Sequence, residues 1–197
     1  MVPFETIHRV IKELSTKSLR NQERYLHSLR VLEMAIYLNN LHHFNLDEEK
    51  IKIAALVHDY GKMMDQHRFQ EYLNQYDFSQ NPSVKDATDT HHALLIPFFL
   101  REDLGIDDEE IIDAAQFHCT GKEHMSLLTK LILLSDYTEM SRTYPNCIAV
   151  REISYTDFEK AVYESLKRTV ECIVDRNKPM CDVTMQALNE YNKKYNE

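Results

Sequence analysis

The sequence predicts an all-α protein. Three glycines and five prolines in 197 residues are too few for a chain of many short strands and tight turns. Apolar residues recur at three- and four-residue steps nearly throughout, the period of a helix with one buried face. Helix-start signals stand where these steps begin: Asn45-Leu46-Asp47 before EEKIKIAALV, Gly105-Ile106-Asp107 before DEEIIDAA, and Thr156-Asp157 before FEKAVYESL.

Helices are expected at about 4–14, 22–41, 47–63, 67–76, 85–103, 107–118, 125–142, 155–176 and 182–194. Periodicity alone supports the first. The second carries the stripe His27, Val31, Met34 and Leu38, and the third follows its start signal with Ile51, Ala54, Ala55 and His58 on one side. Periodicity again supports 67–76 and 85–103. Pro97 lies inside the latter, where its missing donor and its clash with the carbonyl of residue 93 should bend the segment. The 107–118 helix groups Ile111, Ala114, Ala115 and His118. The 125–142 helix holds LTKLILLSDY, with Ile132, Leu133, Asp136 and Met140 on an inward-facing side. Thr156-Asp157 opens 155–176, and periodicity gives 182–194. Loops are expected at about 77–84 and 143–154.

The chain is 43% hydrophobic and 28% charged, an ordinary globular balance without repeats or linker-like tracts. One domain spanning 1–197 is expected, with a motif core at about 22–142 and C-terminal helices at about 155–194. A net charge of −9 repels phosphate backbones and anionic lipid, so nucleic acid and membrane are not expected partners. A small anionic substrate remains compatible, because a metal in a pocket overrides the sign of the surface. The longest apolar run, LLIPFFL, is far below the roughly 20 residues needed to span a bilayer. Glu5, His8, Arg9, Lys12 and Glu13 interrupt any signal-peptide core, and the four cysteines show no C-x-x-C spacing. The expected setting is the cytoplasm, with reduced thiols.

The stretch IAALVHDYGK places a histidine, an aspartate and a lysine at the end of a buried-type run. One histidine on an apolar stripe is usually a satisfied core residue, but here four helices repeat the pattern, through His27, His58, His118 and Asp136. A buried carboxylate such as Asp136 needs a cation, a donor network or a metal. Imidazoles in the same core can complete a metal's ligand set, and imidazole with carboxylate suits Fe, Mn, Zn, Ni or Co better than calcium. Lys62 stands one turn after His58, so it projects towards the same site and could hold a phosphate oxygen; its plain structural reading is a solvated helix-end lysine. Periodicity does not choose between His91, which faces Leu94, Leu95 and Phe98, and His92, which faces Leu95, Ile96 and Phe99.

The order His27, His58-Asp59, His92, His118, Asp136 resembles that of the HD-domain metal-dependent phosphohydrolases. The wording RYLHSLRV, AALVHDYGK, REDLGIDDEEIIDAAQFHCTGKEHMSLLTKLILLSDYTE and the R-x-x-P of RTYP is similar to the YqeK family of symmetrical diadenosine tetraphosphate hydrolases, over about residues 15–192. The resemblance implies an HD-domain bundle with the site in its core, and a two-metal centre that cleaves the tetraphosphate bridge to two ADP. The expected metal is iron, with manganese, cobalt, nickel and zinc as alternatives. It implies one ion on His27, His58, Asp59 and Asp136 and another on Asp59, His92 and His118, with Asp59 bridging. The Leu104-Gly105-Ile106 turn sets the register at His92. Two metals about 3.5–4 Å apart can activate a shared water and stabilise both oxygens of an in-line displacement. Asp59 and Lys62 are then the catalytic candidates, and Lys62, Lys122 and Arg142 the phosphate contacts. A nucleotide is the expected partner, and a homodimer is compatible with the sequence. The family usually has small residues after its third histidine, where this chain has HHALLIPFFL, and the segment 63–90 has no matching wording and is expected to form a lid. The competing readings are an HD phosphohydrolase acting on a nucleoside monophosphate or a guanosine alarmone, and a regulator that binds nucleotide without turnover.

Overall fold

The computed structural model describes residues 2–80 and 82–195; Met1, Asn81, Asn196 and Glu197, the second of them in an expected loop, lie outside the described residues. Among the described residues there are α-helices and short 3-10 turns and no strand. The helices are α1 (Phe4–Ser15), α2 (Leu19–Leu41), α3 (Glu48–Val57), α4 (Gln66–Gln75), α5 (Pro82–Asp86), α6 (His91–Leu94), α7 (Ile96–Leu104), α8 (Glu109–Gln116), α9 (Leu127–Thr138), α10 (Pro145–Ser154), α11 (Phe158–Asp175) and α12 (Asp182–Tyr195).

The centre of the bundle is α3. Ile51, Ile53, Ala54, Ala55, Leu56 and Val57 are all buried, so this helix is apolar all round and lies packed among α1, α2, α8 and α9. Its start is set by Asp47, whose carboxylate accepts the Glu49 N–H at 2.8 Å. Ser18, Asp108, Ser126 and Asp157 cap α2, α8, α9 and α11 in the same way. Beyond the centre, α10, α11 and α12 close the bundle over α9, with the rings of Tyr163, Tyr191 and Tyr195 stacked between α11 and α12. Among the described residues no helix is long and apolar enough to cross a membrane. All four cysteines are free thiols.

Four expected elements are corrected. The run 47–63 is not one helix: α3 stops at Val57, and a 3-10 turn at Tyr60–Met63 follows, closed by the Lys62 N–H on the Asp59 carbonyl at 2.9 Å. The run 85–103 divides into α5, a 3-10 turn at Thr88–Thr90, α6 and α7. Pro97 is the reason for the last division, because it has no N–H and would strike the Ala93 carbonyl; the chain places it in the first turn of α7, where a donor is not needed. The expected loop at 143–154 is helix α10, opened by Pro145 at its first turn. Helix α9 also ends at Thr138, so Met140, expected on the inward side with Asp136, is 64% exposed.

Candidate metal centre

Most of the donors stand at or beyond helix ends. His27 projects from the middle of α2 and Asp136 from the last turns of α9, whereas His58 and Asp59 follow α3, His92 lies on the short α6, and His118 follows α8. Neighbouring residues of a continuous helix diverge by about 100°, so His58 and Asp59 could not both face one point within α3. The chain leaves helical geometry at Asp59 (φ −100°, ψ 12°), and both side chains turn inward. After α8, His118 is held in a turn closed by the Gly121 N–H on the Phe117 carbonyl at 2.9 Å. Gly121 has φ +64°, a left-handed conformation that glycine adopts without a Cβ penalty.

Asp59 is the hub. Its Oδ1 lies 3.8 Å from His58 Nε2, 3.5 Å from His92 Nε2 and 3.4 Å from His118 Nε2. The two rings His92 and His118 approach to 3.4 Å between their Nε2 atoms. On the other side, the ring of His27 packs edge-on to that of His58, and His27 Nε2 stands 2.9 Å from Asp136 Oδ1. His27, His58 and Asp59 bring one donor atom each within 4.8 Å of one another; so do His58, His118 and Asp136, and so do His92, His118 and Cys119. His91 is turned away, its Nε2 donating to the Val84 carbonyl at 2.9 Å.

These residues fit a metal. The Nδ1–H groups of His58 and His118 donate to the carbonyls of Ala55 and Ala115 at 2.8 and 2.7 Å, which leaves each Nε2 lone pair aimed at the cluster. His58 Nε2 is buried without a hydrogen-bond partner among the described residues, and Asp59 Oδ1 has the Lys62 ion pair at 2.8 Å but no partner in hydrogen-bond geometry. Buried acceptors left unsatisfied in this way call for a cation. Four imidazoles and two carboxylates are the donor set of a first-row transition ion.

Electrostatics agree. Burial pushes His58 down to about 4 and, with Lys62 nearby, holds His92 well below its usual range, so both rings are neutral at neutral pH, the form a metal needs. Burial opposes ionisation of Asp59, but His58, His118 and Lys62 outweigh it and keep the carboxyl well below the ordinary carboxylate range. Asp136 is likewise held low against burial, by His27, His58 and Arg142. Burial pushes the Cys119 thiol up to about 12, which makes it a protonated neighbour of His118.

Several residues of the site escaped the sequence reading. Glu139, 1% exposed, accepts from His27 Nδ1 at 3.3 Å and from Arg30 Nε at 3.1 Å, and so sets the ring of His27. Arg24 donates to Asp59 Oδ2 at 3.3 Å. The spacing of Arg24, His27 and Arg30 at three-residue steps was a legible sign that the three share a helix face. Arg151, on the unexpected α10, is buried and donates to the carbonyls of Thr138, Glu139 and Arg142, capping the end of α9. The three phosphate-contact candidates divide. Lys62 sits on Asp59, and Arg142 Nη2 is 2.9 Å from Asp136 Oδ1. Lys122 is tied to Asp113 at 2.5 Å and lies over the Phe117 ring, so it is engaged outside the cluster.

A histidine and carboxylate cluster at the helix ends of an all-α bundle defines the HD-domain class, and the model of the HD domain matches residues 24–141. The chain belongs to that family, in the branch of the symmetrical bis(5'-nucleosyl)-tetraphosphatases. It is 34% identical over 169 residues to the protein of that name from Halalkalibacterium halodurans, covering 86% of this chain and 89% of that one. The relatives of the same name from Staphylococcus aureus and Bacillus subtilis are 32% and 31% identical, over 87% and 88% of this chain and 88% and 91% of theirs. A crystal structure from Clostridium acetobutylicum, described as a predicted HD superfamily hydrolase involved in NAD metabolism, is similar with a TM-score of 0.76 at 29% identity, over 92% of this chain and 94% of that one.

Proposed function

We propose that this protein hydrolyses diadenosine tetraphosphate to two ADP, as one HD domain with its motif core at about 22–142 and the helices beyond it completing the fold. One observation carries the reading: Asp59 Oδ1 faces three imidazole Nε2 atoms at 3.4–3.8 Å, in a chain that matches the symmetrical tetraphosphatases over nearly its full length. His27, His58, Asp59 and Asp136 would hold one ion, and Asp59, His92 and His118 the other, with Asp59 shared. Iron is the expected metal, ahead of manganese, cobalt, nickel or zinc. When bound, such a pair activates a water and offsets the negative charge that develops at phosphorus.

The rest of the chemistry belongs to the chain. Ala55 and Ala115 fix the tautomers of His58 and His118, so that Nε2 keeps its free lone pair in both. Glu139 orients His27, and Arg151 holds the turn that carries Glu139 and Arg142. Lys62 and Arg142 supply charge-assisted hydrogen bonds to phosphate oxygens beside the cut. A leaving nucleoside diphosphate is a stable anion, so the site has no need of a strong general acid. The segment 63–90 contributes Met64, Phe69, Thr88 and Asp89 to the cavity wall beside His92, the position of a cover over bound nucleotide.

The test is to purify the protein without chelator, measure its metal content, and present a nucleotide panel with products resolved by chromatography. ADP as the single product of diadenosine tetraphosphate supports the reading. ATP and AMP as main products overturn it.

A further inference from the structure

Three open cavities follow one another along the N-terminal half of α2, of about 510, 310 and 390 Å³. Their walls are shared. Arg20 borders all three, Lys62 the first two, and Arg24 the last two. The middle cavity reaches His92 and the third reaches His27 and Arg142, so the groove they share runs past the cluster, which a separate cavity of about 200 Å³ also meets at His118, Cys119 and Asp136. Arg20, Arg24, His27 and Arg30 recur at steps of four, three and three and therefore line one face of the helix. Ten residues separate the outer two arginines, or about 15 Å along the axis, a span for a chain of several phosphates rather than for one.

The cations of this face are not equivalent. Arg24 is paired with Asp59 and Arg30 with Glu139. Arg20 is exposed and, among the described residues, has no carboxylate partner, in a chain of net charge −9. Its neighbour Glu23 lines only the third cavity. An unpaired guanidinium that borders every section of the groove is free to pair with phosphate.

Resting on the proposed function, we propose that Arg20 is a positioning residue, which holds the phosphate chain on the far side of the cut and so makes the protein read a long, two-ended polyphosphate. Arg20 and Arg30 stand at the two ends of this helix face and Arg24, between them, is paired with Asp59, so a bridge laid along the face has its middle over Asp59. Symmetrical cleavage follows from that placement.

The test compares Arg20→Ala, Arg20→Lys and the charge-matched control Lys167→Ala, on the exposed face of α11, using diadenosine tetraphosphate as substrate. Arg20→Ala should raise KM about tenfold, the scale of one charge-assisted hydrogen bond, with kcat within about twofold and metal content unchanged. Arg20→Lys should recover most of that loss, and Lys167→Ala should show none. A KM for Arg20→Ala within twofold of wild type, or an equal rise in Lys167→Ala, overturns the inference while leaving the activity standing. A wild-type protein that leaves diadenosine tetraphosphate intact overturns the proposed function and this inference with it.

Discussion

Replacing Gly61 by alanine should damage the metal cluster without removing a donor atom. Gly61 sits in the 3-10 turn two residues after Asp59 and packs on the main chain of His92. A Cβ there would fall inside the contact distance of the His92 carbonyl oxygen, 3.1 Å from the His92 carbonyl carbon and 3.2 Å from its Cα. Carbon atoms pack at about 3.5–4.0 Å, so α6 would have to withdraw by roughly 0.5–1 Å. It is backbone that must move, tied by the Leu95 N–H on the His91 carbonyl at 3.1 Å, and not a side chain that can swing aside. Metal–ligand distances tolerate about ±0.2 Å, so the half of the cluster that holds His92 should fail while His27, His58 and Asp136 keep theirs. Gly61 is not among the glycines of positive φ, so alanine alone would favour the folded chain by about 0.4–1 kcal/mol. Overpacking costs about 1–3 kcal/mol and wins. The assay is metal content by mass spectrometry after loading at defined concentration, beside thermal unfolding of the metal-free protein and turnover. Bound metal should be roughly halved, the melting temperature lowered, and the rate reduced about 100-fold by the misplaced ligand. Wild-type metal content with an equal or higher melting temperature would refute the packing argument.

Asp59→Asn should fold with unchanged circular dichroism yet lose more metal and activity than any single histidine variant, because a carboxylate shared as proposed would serve both halves; full metal content with a small rate loss would show that Asp59 is not shared. His92→Ala should abolish turnover, whereas His91→Ala, which loses the bond to the Val84 carbonyl and the contact with the Phe78 ring, should cost no more than a few-fold in rate; the reverse order would move the ligand to His91. Acid should destabilise the metal-free protein in a window set by His58. Its folded pKa of about 4 lies below the unfolded value of 6.5, so the unfolded chain takes up a proton that the folded one refuses, and stability falls as pH drops from about 6.5 towards 4. Between pH 7 and 5 the loss is about 2 kcal/mol from this ring, with His92 adding in the same direction. Urea midpoints should show a shallower decline in His58→Gln, and identical slopes would count against a neutral buried His58.

The fold was legible where a helix carries both a buried stripe and a cap. Asp47 and Asp157 act as the starts that the sequence suggested, the start suggested at Asp107 falls one residue later on Asp108, and the stripes of His27, His58 and His118 are buried. It was not legible where tertiary contacts decide. Helix α10 buries Arg151 beside Cys147 and Val150, and a buried arginine reads as a surface residue until its three carbonyl partners are known. Pro97 signalled a disturbance, but whether a helix bends or restarts at a proline depends on what the flanking turns pack against. Here Leu95, Ile96 and Phe99 are fully buried, and two short helices serve that packing better than one bent helix.

The candidate cluster was legible in its histidines and aspartates and opaque in the residues that support them, and the difference has a physical origin. A histidine or aspartate in an apolar run is conspicuous because burial costs it so much. Arg20, Arg24 and Arg30 cost nothing at a surface and therefore leave no mark in composition; only their shared helical face with His27 gives them away. Periodicity also misplaces the origin of the site. It assigns His58 to a helical stripe, yet a continuous helix would send Asp59 about 100° aside. The cluster exists because α3 ends there, because the short α6 packs its His92 backbone on Gly61, and because α8 gives way to a turn at His118. The breaks in the helices, more than the helices themselves, bring the donors to one point. That is why Gly61, which carries no functional group, is the residue through which the ends of α3 and α6 constrain each other.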